Sequence, residues 1–222
     1  MKILLNFIHN TKVKHTFIIL ILLCIFILIS AISYVDAVST DISNSVFRLH
    51  VIANSDSTED QNLKYKVRDA VLKYMNSISM DCSSKSEVIK LVNDHKDDFY
   101  KIAKQVIVDN GYNYDVNIKI GNFDFPTKHY GDISFPAGNY DALRIEIGNA
   151  SGQNWWCVMF PPLCFVDVSS GIVPDDSKDL LQDNMSDEEY DLITNSNDNS
   201  SLTFKFKIVE LFENIKVKLA NS

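Results

Sequence analysis

Glycine and proline are missing from the front half of the 222-residue sequence. All seven Gly and all five Pro lie at or after Gly111, so the 73 residues from Val38 to Asn110 contain neither. Because these two residue types mark most turns, their absence excludes a turn-rich sheet from this half. We therefore predict one strand followed by long helices in front, and turn-rich sheet behind Gly111.

Sequence motifs of the common enzyme classes are also missing. The chain has no G-x-S-x-G, Walker loop, G-x-G-x-x-G, H-E-x-x-H or paired C-x-x-C. The acidic residues between 175 and 191 lack the spacing of a calcium loop. Cys157 and Cys164 have no histidine nearby, which disfavours a zinc site. We predict no catalytic residues, no cofactor and no metal.

Positive charge is scarce behind the N-terminal leader. The whole chain has 21 basic and 29 acidic residues, and the leader ending at Ala37 holds three of the basic ones and one acidic one. The remaining 185 residues therefore carry a net charge of −10. A nucleic-acid-binding domain needs a basic surface, and so does a domain that adheres to anionic lipid. We predict no nucleic-acid partner, and membrane contact through the leader only.

The leader is the one long hydrophobic segment. Residues 16–35 carry no charge, residues 17–29 are all apolar, and Lys2, Lys12 and Lys14 precede them. Residues 35–37 read Val-Asp-Ala, which fits a signal-peptidase site. The segment is also just long enough to span a bilayer. Residues 1–37 are thus a signal peptide or an N-terminal membrane anchor, 38–45 a polar tether, and 46–222 a single exported domain.

Hydrophobic periodicity predicts an α+β fold with helices on one face of a largely antiparallel sheet. A strand at 46–53 leads through a cap-rich turn into two long antiparallel helices. Ser57 with Asp60, or Thr58 with Gln61, can cap the first helix, and Ser84 with Glu87 caps the second, which runs for about 24 residues. Strands follow at 114–120, 130–135 and 140–147, and residues 155–160 are predicted to return beside 140–147 as a hairpin. Residues 175–200 are predicted as an acidic loop with a short helix, residues 201–206 as a last strand, and 208–219 as a closing helix.

Two segments concentrate residues that could bind a partner. The first lies at a strand end and helix start: Arg48, His50, Asn54, Asp56, Asp60 and Gln61. It has three interpretations: helix caps with Arg48 paired to a carboxylate, a binding epitope or anion site at the helix amides, or a hydrolytic His50–Asp56 pair. The second is the aromatic segment with Trp155 and Trp156, which is either core or an interaction patch. Its Cys157 and Cys164 either form a disulfide or are small buried apolar residues.

Residues 47–72 (FRLHVIANSDSTEDQNLKYKVRDAVL) and 154–167 (NWWCVMFPPLCFVD), with FPAGNYDALRIEIG between them, resemble the signature segments of the stage II sporulation protein R family of endospore-forming bacteria. The resemblance covers residues 46–168. It implies a signal without catalytic residues, made in the forespore and exported into the space between the forespore and mother-cell membranes. There it would activate a membrane-embedded aspartic protease of the mother cell that processes pro-sigma-E. The competing hypothesis is an exported hydrolase of cell wall or peptide that uses His50 and Asp56.

Overall fold

The computed structural model describes residues 11–164 and 173–194. The chain divides into two units, residues 1–38 and 39–222. Helix α1 (Thr11–Ser45) contains the apolar window Val13–Ser30, of mean hydropathy 2.5, whose described side chains are not buried. By length and composition this window could cross a membrane.

The predicted tether at 38–45 is helical and belongs to α1. Ile42 in its last turns is fully buried, as is Val46 just after them. The Nζ of Lys85 donates a 2.9 Å hydrogen bond to the carbonyl of Ser43, one of the free carbonyls at the end of α1. The composition predicted a polar linker, but one buried side chain and one capped carbonyl make this segment part of the folded body.

The helices that follow strand β1 (Phe47–Ile52) start where the caps predicted. Helix α2 (Thr58–Ile78) is capped by Ser57, whose Oγ accepts from the Asp60 amide, and helix α3 (Lys85–Asp94) is capped in the same way by Ser84. The predicted 24-residue second helix is broken at His95, and helix α4 (Lys96–Asp109) begins beyond it. The His95 ring lies 2.8 Å from the Tyr74 hydroxyl on α2, a long-range contact that periodicity does not show.

The main sheet has the strand order β2-β5-β1-β6, formed by β1 with β2 (Val116–Phe125), β5 (Gly138–Ile147) and β6 (Asn154–Phe160). Strand β1 pairs parallel with β5 and antiparallel with β6, and β2 pairs antiparallel with β5. The predicted hairpin between 140–147 and 155–160 is therefore wrong, because β1 lies between these strands. All six residues of β1 are buried, and a central position satisfies the backbone groups on both of its edges.

Strands β3 (Lys128–Tyr130) and β4 (Ile133–Phe135) form a separate two-stranded hairpin. The acidic segment 175–200 was predicted as a loop with a short helix, and its described part forms two helices, α5 (Asp175–Asp183) and α6 (Asp187–Thr194). Acidic residues occupy the first turn of each helix, where their negative charge interacts favourably with the helix dipole. Leu181 and Ile193 anchor the two helices, since both side chains are buried. The predicted strand 201–206 and C-terminal helix 208–219 lie outside the described residues.

The α+β class is confirmed, with a single folded body and a largely antiparallel sheet. Its apolar core lies between the sheet and the helices α2, α3 and α4. Phe47, Leu49 and Val51 of β1 enter this core with 0% exposure, because alternate residues of a strand point to the same face.

Candidate partner-binding site

The strand alternation of β1 directs Arg48 and His50 to the sheet face opposite the helices. The ladder places Ala142 and Arg144 of β5 beside them, and Trp156 of β6 beside His50. We call this the outer face. Its polar and aromatic members are Arg48, His50, Asn117, Lys119, Phe123, Phe125, Tyr140, Arg144, Glu146, Asn154 and Trp156.

Arg48 is fully buried beneath the outer face. Its guanidinium carbon lies 4.2 Å from the ring centroid of Phe125 and 4.6 Å from that of Tyr140, and its Nη2 donates a 3.0 Å hydrogen bond to the Tyr130 hydroxyl. Nε and Nη1 are buried and have no hydrogen-bond partner among the described residues. The predicted pairing of Arg48 with a carboxylate is not found among the described residues, where aromatic rings surround this side chain instead. Arg48 also lies away from the α2 N-terminus, so the two do not form an anion site.

His50 is also buried, with 4% exposure. Its ring stacks on Trp156 with centroids 3.6 Å apart, and its Nε2 lies 2.7 Å from Asn154 Oδ1. Burial lowers the pKa of His50 to about 4, and Arg144 acts in the same direction, although the hydrogen bond to Asn154 opposes the shift. His50 is therefore neutral near pH 7.

Asp56 does not reach His50. It is exposed on the turn before α2, and its Oδ1 accepts a 2.7 Å hydrogen bond from the backbone amide of Gln153. His50 is bonded to Asn154 instead. The catalytic pair required by the hydrolase hypothesis is not formed, since a general base and its orienting acid must be within hydrogen-bond reach.

Asn54, Asp60 and Gln61 hold the turn between β1 and α2. Asp60 Oδ2 accepts from the side chains of Asn54 (2.8 Å) and Ser55 (2.5 Å), and Gln61 Nε2 donates to the Ser55 carbonyl. Burial acts to raise the pKa of Asp60, but the hydrogen bonds from Ser55 and Asn54 outweigh it and hold that pKa below its ordinary value. The structure thus favours the capping interpretation for these three residues.

The same turn is joined to the loop between β5 and β6. The Oδ1 of Asn54 accepts from the Asn149 amide at 2.9 Å, and its carbonyl accepts from the Ser151 hydroxyl at 2.7 Å. The amide of Gly152 donates to the Ala53 carbonyl at 3.0 Å. Segments 95 or more residues apart in sequence are therefore fixed to one another at this end of the sheet.

Trp155 and Trp156 lie on opposite faces of the sheet, because they are neighbours on β6. Trp156 stacks on His50 on the outer face, whereas Trp155 packs against the Arg68 guanidinium, 4.2 Å from its ring centroid. The predicted single aromatic patch is thus divided. Cys157 and Cys164 form a disulfide with Cα atoms 5.3 Å apart, within the usual range for such a bridge.

The sequence prediction did not include the charged cluster of the outer face. Glu146 accepts hydrogen bonds from Lys119 (3.0 Å) and Asn117 (3.0 Å), and pairs with Arg144 at 2.9 Å. Alternation in β5 places Arg144 and Glu146 on one face, but only the pairing with β2 brings Lys119 to them. Among the described residues no group of three or more His, Cys, Asp or Glu side chains is placed to hold a metal ion.

Comparison with known proteins identifies the family of this fold. The family model described as Stage II sporulation protein R matches residues 43–170, more than half of the chain. The chain belongs to the stage II sporulation protein R family. It is 42% identical over 130 residues to the Stage II sporulation protein R of Bacillus subtilis (strain 168), covering 59% of this chain and 58% of that relative. This chain thus aligns with less than two thirds of the relative's length, and no solved structure matches it.

The family match contains all of the strands described above and all eight of the predicted partner-binding residues. Helices α5 and α6 lie beyond it. The family is named for a stage of sporulation and not for a reaction, and the chain is therefore a sporulation protein of stage II.

Proposed function

We propose that this protein is an exported intercellular signal of sporulation that activates the membrane-embedded aspartic protease processing pro-sigma-E in the mother cell. Membership of the stage II sporulation protein R family carries this proposal. The sequence resemblance to this family implies a protein that activates the protease by binding to it and needs no catalytic residues of its own.

Export is supported by helix α1. Its apolar window Val13–Ser30 has the length and hydropathy of a signal sequence or an anchor, and Lys14 and two further lysines precede the apolar run. Positive residues before such a run favour an N-terminus inside the cytoplasm, so the body lies on the other side of the forespore membrane in this proposal.

The outer face and the adjoining turn form the proposed contact surface. Asp56 and Asn154 are exposed, Lys119 has 47% side-chain exposure, and Trp156 is half-buried. A ligand shifts a conformational equilibrium only by its differential affinity for the two states. We propose that these side chains bind the extracytoplasmic part of the protease in its active arrangement more tightly than in its inactive one.

Co-expression in a non-sporulating host tests the activator role. The full chain, the protease and pro-sigma-E are expressed together, and processing is followed by the size of the sigma factor. We expect processing with the full chain and none when residues 1–37 are deleted, because the body then stays in the cytoplasm. Processing that is equally efficient without the leader, or absent with the full chain, would refute the proposal.

Charge changes on the outer face, a reversal at Lys119 and an added positive charge at Asn154, map the contact surface in the same assay. Lys119→Glu and Asn154→Arg change exposed side chains of the outer face, and we expect each to reduce processing at least several-fold without loss of the exported protein. Lys90→Glu, exposed on α3 in the helical layer, is the matched control and should process fully. Equal processing by all three variants would move the contact surface elsewhere.

A further inference from the structure

We propose that Arg48 is the binding site for a carboxylate side chain of the protein partner, and that the β3–β4 hairpin covers it until the partner engages. This inference rests on the proposed function, and it assigns a chemistry to the contact. It starts from the hydrogen-bonding state of one buried side chain.

Arg48 is buried with unused hydrogen-bonding capacity. The side chain has 0% exposure, and its Nη2 donates to the Tyr130 hydroxyl. The Tyr140 hydroxyl also interacts with the guanidinium, whereas Nε and Nη1 have no hydrogen-bond partner in the described part of the chain. The planar guanidinium is suited to hold a carboxylate through two parallel N–H donors. A buried donor without an acceptor is rare in a folded protein and requires an explanation. The phenol oxygen of Tyr130 accepts from Nη2, so the N–H donors of Nε and Nη1 are available to a carboxylate.

The carboxylate that Arg48 lacks is not supplied by its own sheet face. Glu146 is the acidic side chain of the outer face, and it is already bound by Lys119, Arg144 and Asn117. The positive charges of Arg144 and Arg48 both lower the pKa of the nearby His50. A locally positive site within a chain of net charge −8 favours an acidic partner group.

Strand β3 is the more accessible part of the cover over Arg48, because its residues are exposed or half-buried. The residues of β4 are buried, and Lys178 of α5 pairs with Asp132 between the two strands at 2.6 Å. The Tyr130 hydroxyl of β3 accepts from Arg48 and donates to the Trp156 carbonyl at 3.2 Å, and Phe135 of β4 lies 5.8 Å from the guanidinium carbon. In the described part of the chain, β3 and β4 pair only with each other and not with the main sheet. A carboxylate is a stronger acceptor for guanidinium than a neutral phenol, so it can replace the Tyr130 hydroxyl and displace strand β3.

The test compares Arg48→Met, Arg48→Lys and Tyr130→Phe in the full chain, by urea unfolding and by pro-sigma-E processing. Arg48→Met removes an uncompensated buried charge and keeps an apolar side chain of similar length, so we expect its urea midpoint to be unchanged or raised. Arg48→Met should nevertheless reduce processing at least tenfold. Arg48→Lys, which keeps charge without the two-pronged geometry, should also reduce processing. Tyr130→Phe, which removes the competing acceptor, should process at least as well as the wild type.

Replacement of each extracytoplasmic Asp and Glu of the protease by its amide identifies the partner group. We expect one such variant to lower processing with the wild-type chain and to have no further effect with Arg48→Met. A lowered urea midpoint for Arg48→Met would show that Arg48 is a structural residue and overturn the inference. So would full processing by Arg48→Met while the wild type is active. Absence of processing with the wild type itself would refute the proposed function, and the inference with it.

Discussion

Replacing Gly152 with alanine is expected to destabilise this protein more than a surface substitution should. Gly152 lies in the loop between β5 and β6, where its amide donates to the Ala53 carbonyl. A Cβ at this position would overlap the Ser55 carbonyl oxygen, and would lie 2.5 Å from the Ser55 carbonyl carbon and 3.0 Å from Ala53 Cβ. Carbon atoms normally approach to about 3.5–4.0 Å, so one of the two segments must move by about 1 Å.

The neighbours cannot yield cheaply, because two of the three atoms belong to backbone that is bonded on both sides. The turn at Ser55 is fixed by Asp60 and Gln61, and it joins the β5–β6 loop through the side chain of Asn54. Overpacking costs about 1–3 kcal/mol, and each lost hydrogen bond adds about 1 kcal/mol. We therefore expect Gly152→Ala to lower the free energy of unfolding by about 2–4 kcal/mol.

Urea unfolding followed by tryptophan fluorescence measures this loss, since Trp155 and Trp156 lie in the strand that begins just after Gly152. Gly121→Ala is the matched control: a Cβ there would meet its nearest neighbour, Phe123, at 3.9 Å, which is ordinary contact. The control should change stability by less than about 1 kcal/mol, the glycine-to-alanine range. If Gly152→Ala matches the control, the two turns are not packed as described, and the capping interpretation of Asn54 and Asp60 loses its main support.

Two further predictions follow from the site. The pKa of His50 is about 4 in the folded protein and near 6.5 in the unfolded chain. The neutral ring therefore contributes on the order of 3 kcal/mol to the free energy of unfolding, which is complete above pH 6.5 and is lost as pH falls towards 4. His50→Gln should abolish this part of the pH dependence of urea unfolding, and an unchanged profile would contradict the burial of the ring. Replacing both Cys157 and Cys164 with serine should lower the free energy of unfolding by about 2.5 kcal/mol, the chain-entropy value for a sequence separation of 7. The control Cys82→Ser should show no such loss. Equal stability of the wild type, the double variant and the control would mean that the bridge does not form.

Local signals in the sequence predicted the helical layer well. Ser57 and Ser84 cap helices because a hydroxyl followed by backbone amides suffices for the interaction, and no distant residue is needed. The break at His95 was missed for the opposite reason. At the break the His95 ring meets the hydroxyl of Tyr74 on another helix, and a local pattern does not report such a contact.

The roles of the candidate residues were harder to predict than the segments that contain them. Arg48, His50 and Trp156 were placed on two strands from the sequence, and the structure pairs these two strands and brings His50 and Trp156 together on the outer face. Their contacts were not predictable, because Phe125, Tyr130 and Asn154 lie 77 to 104 residues away from the side chains that they meet. Periodicity reports the face to which a residue points, and it does not report what lies opposite.

By itself the sequence determined the class of the fold, the apolar leader, the caps of the helices and the family signature, since each of these depends on residues close together along the chain. Only the tertiary structure decided that β1 lies between β5 and β6, that Arg48 is buried without an acid, and that the two tryptophans lie on opposite faces. Strand order depends on which strand is buried on both faces and has the backbone groups of both edges hydrogen-bonded, and this is decided by the assembled domain. This strand order surrounded Arg48 with aromatic rings and left Lys119 of the outer face partly exposed to solvent.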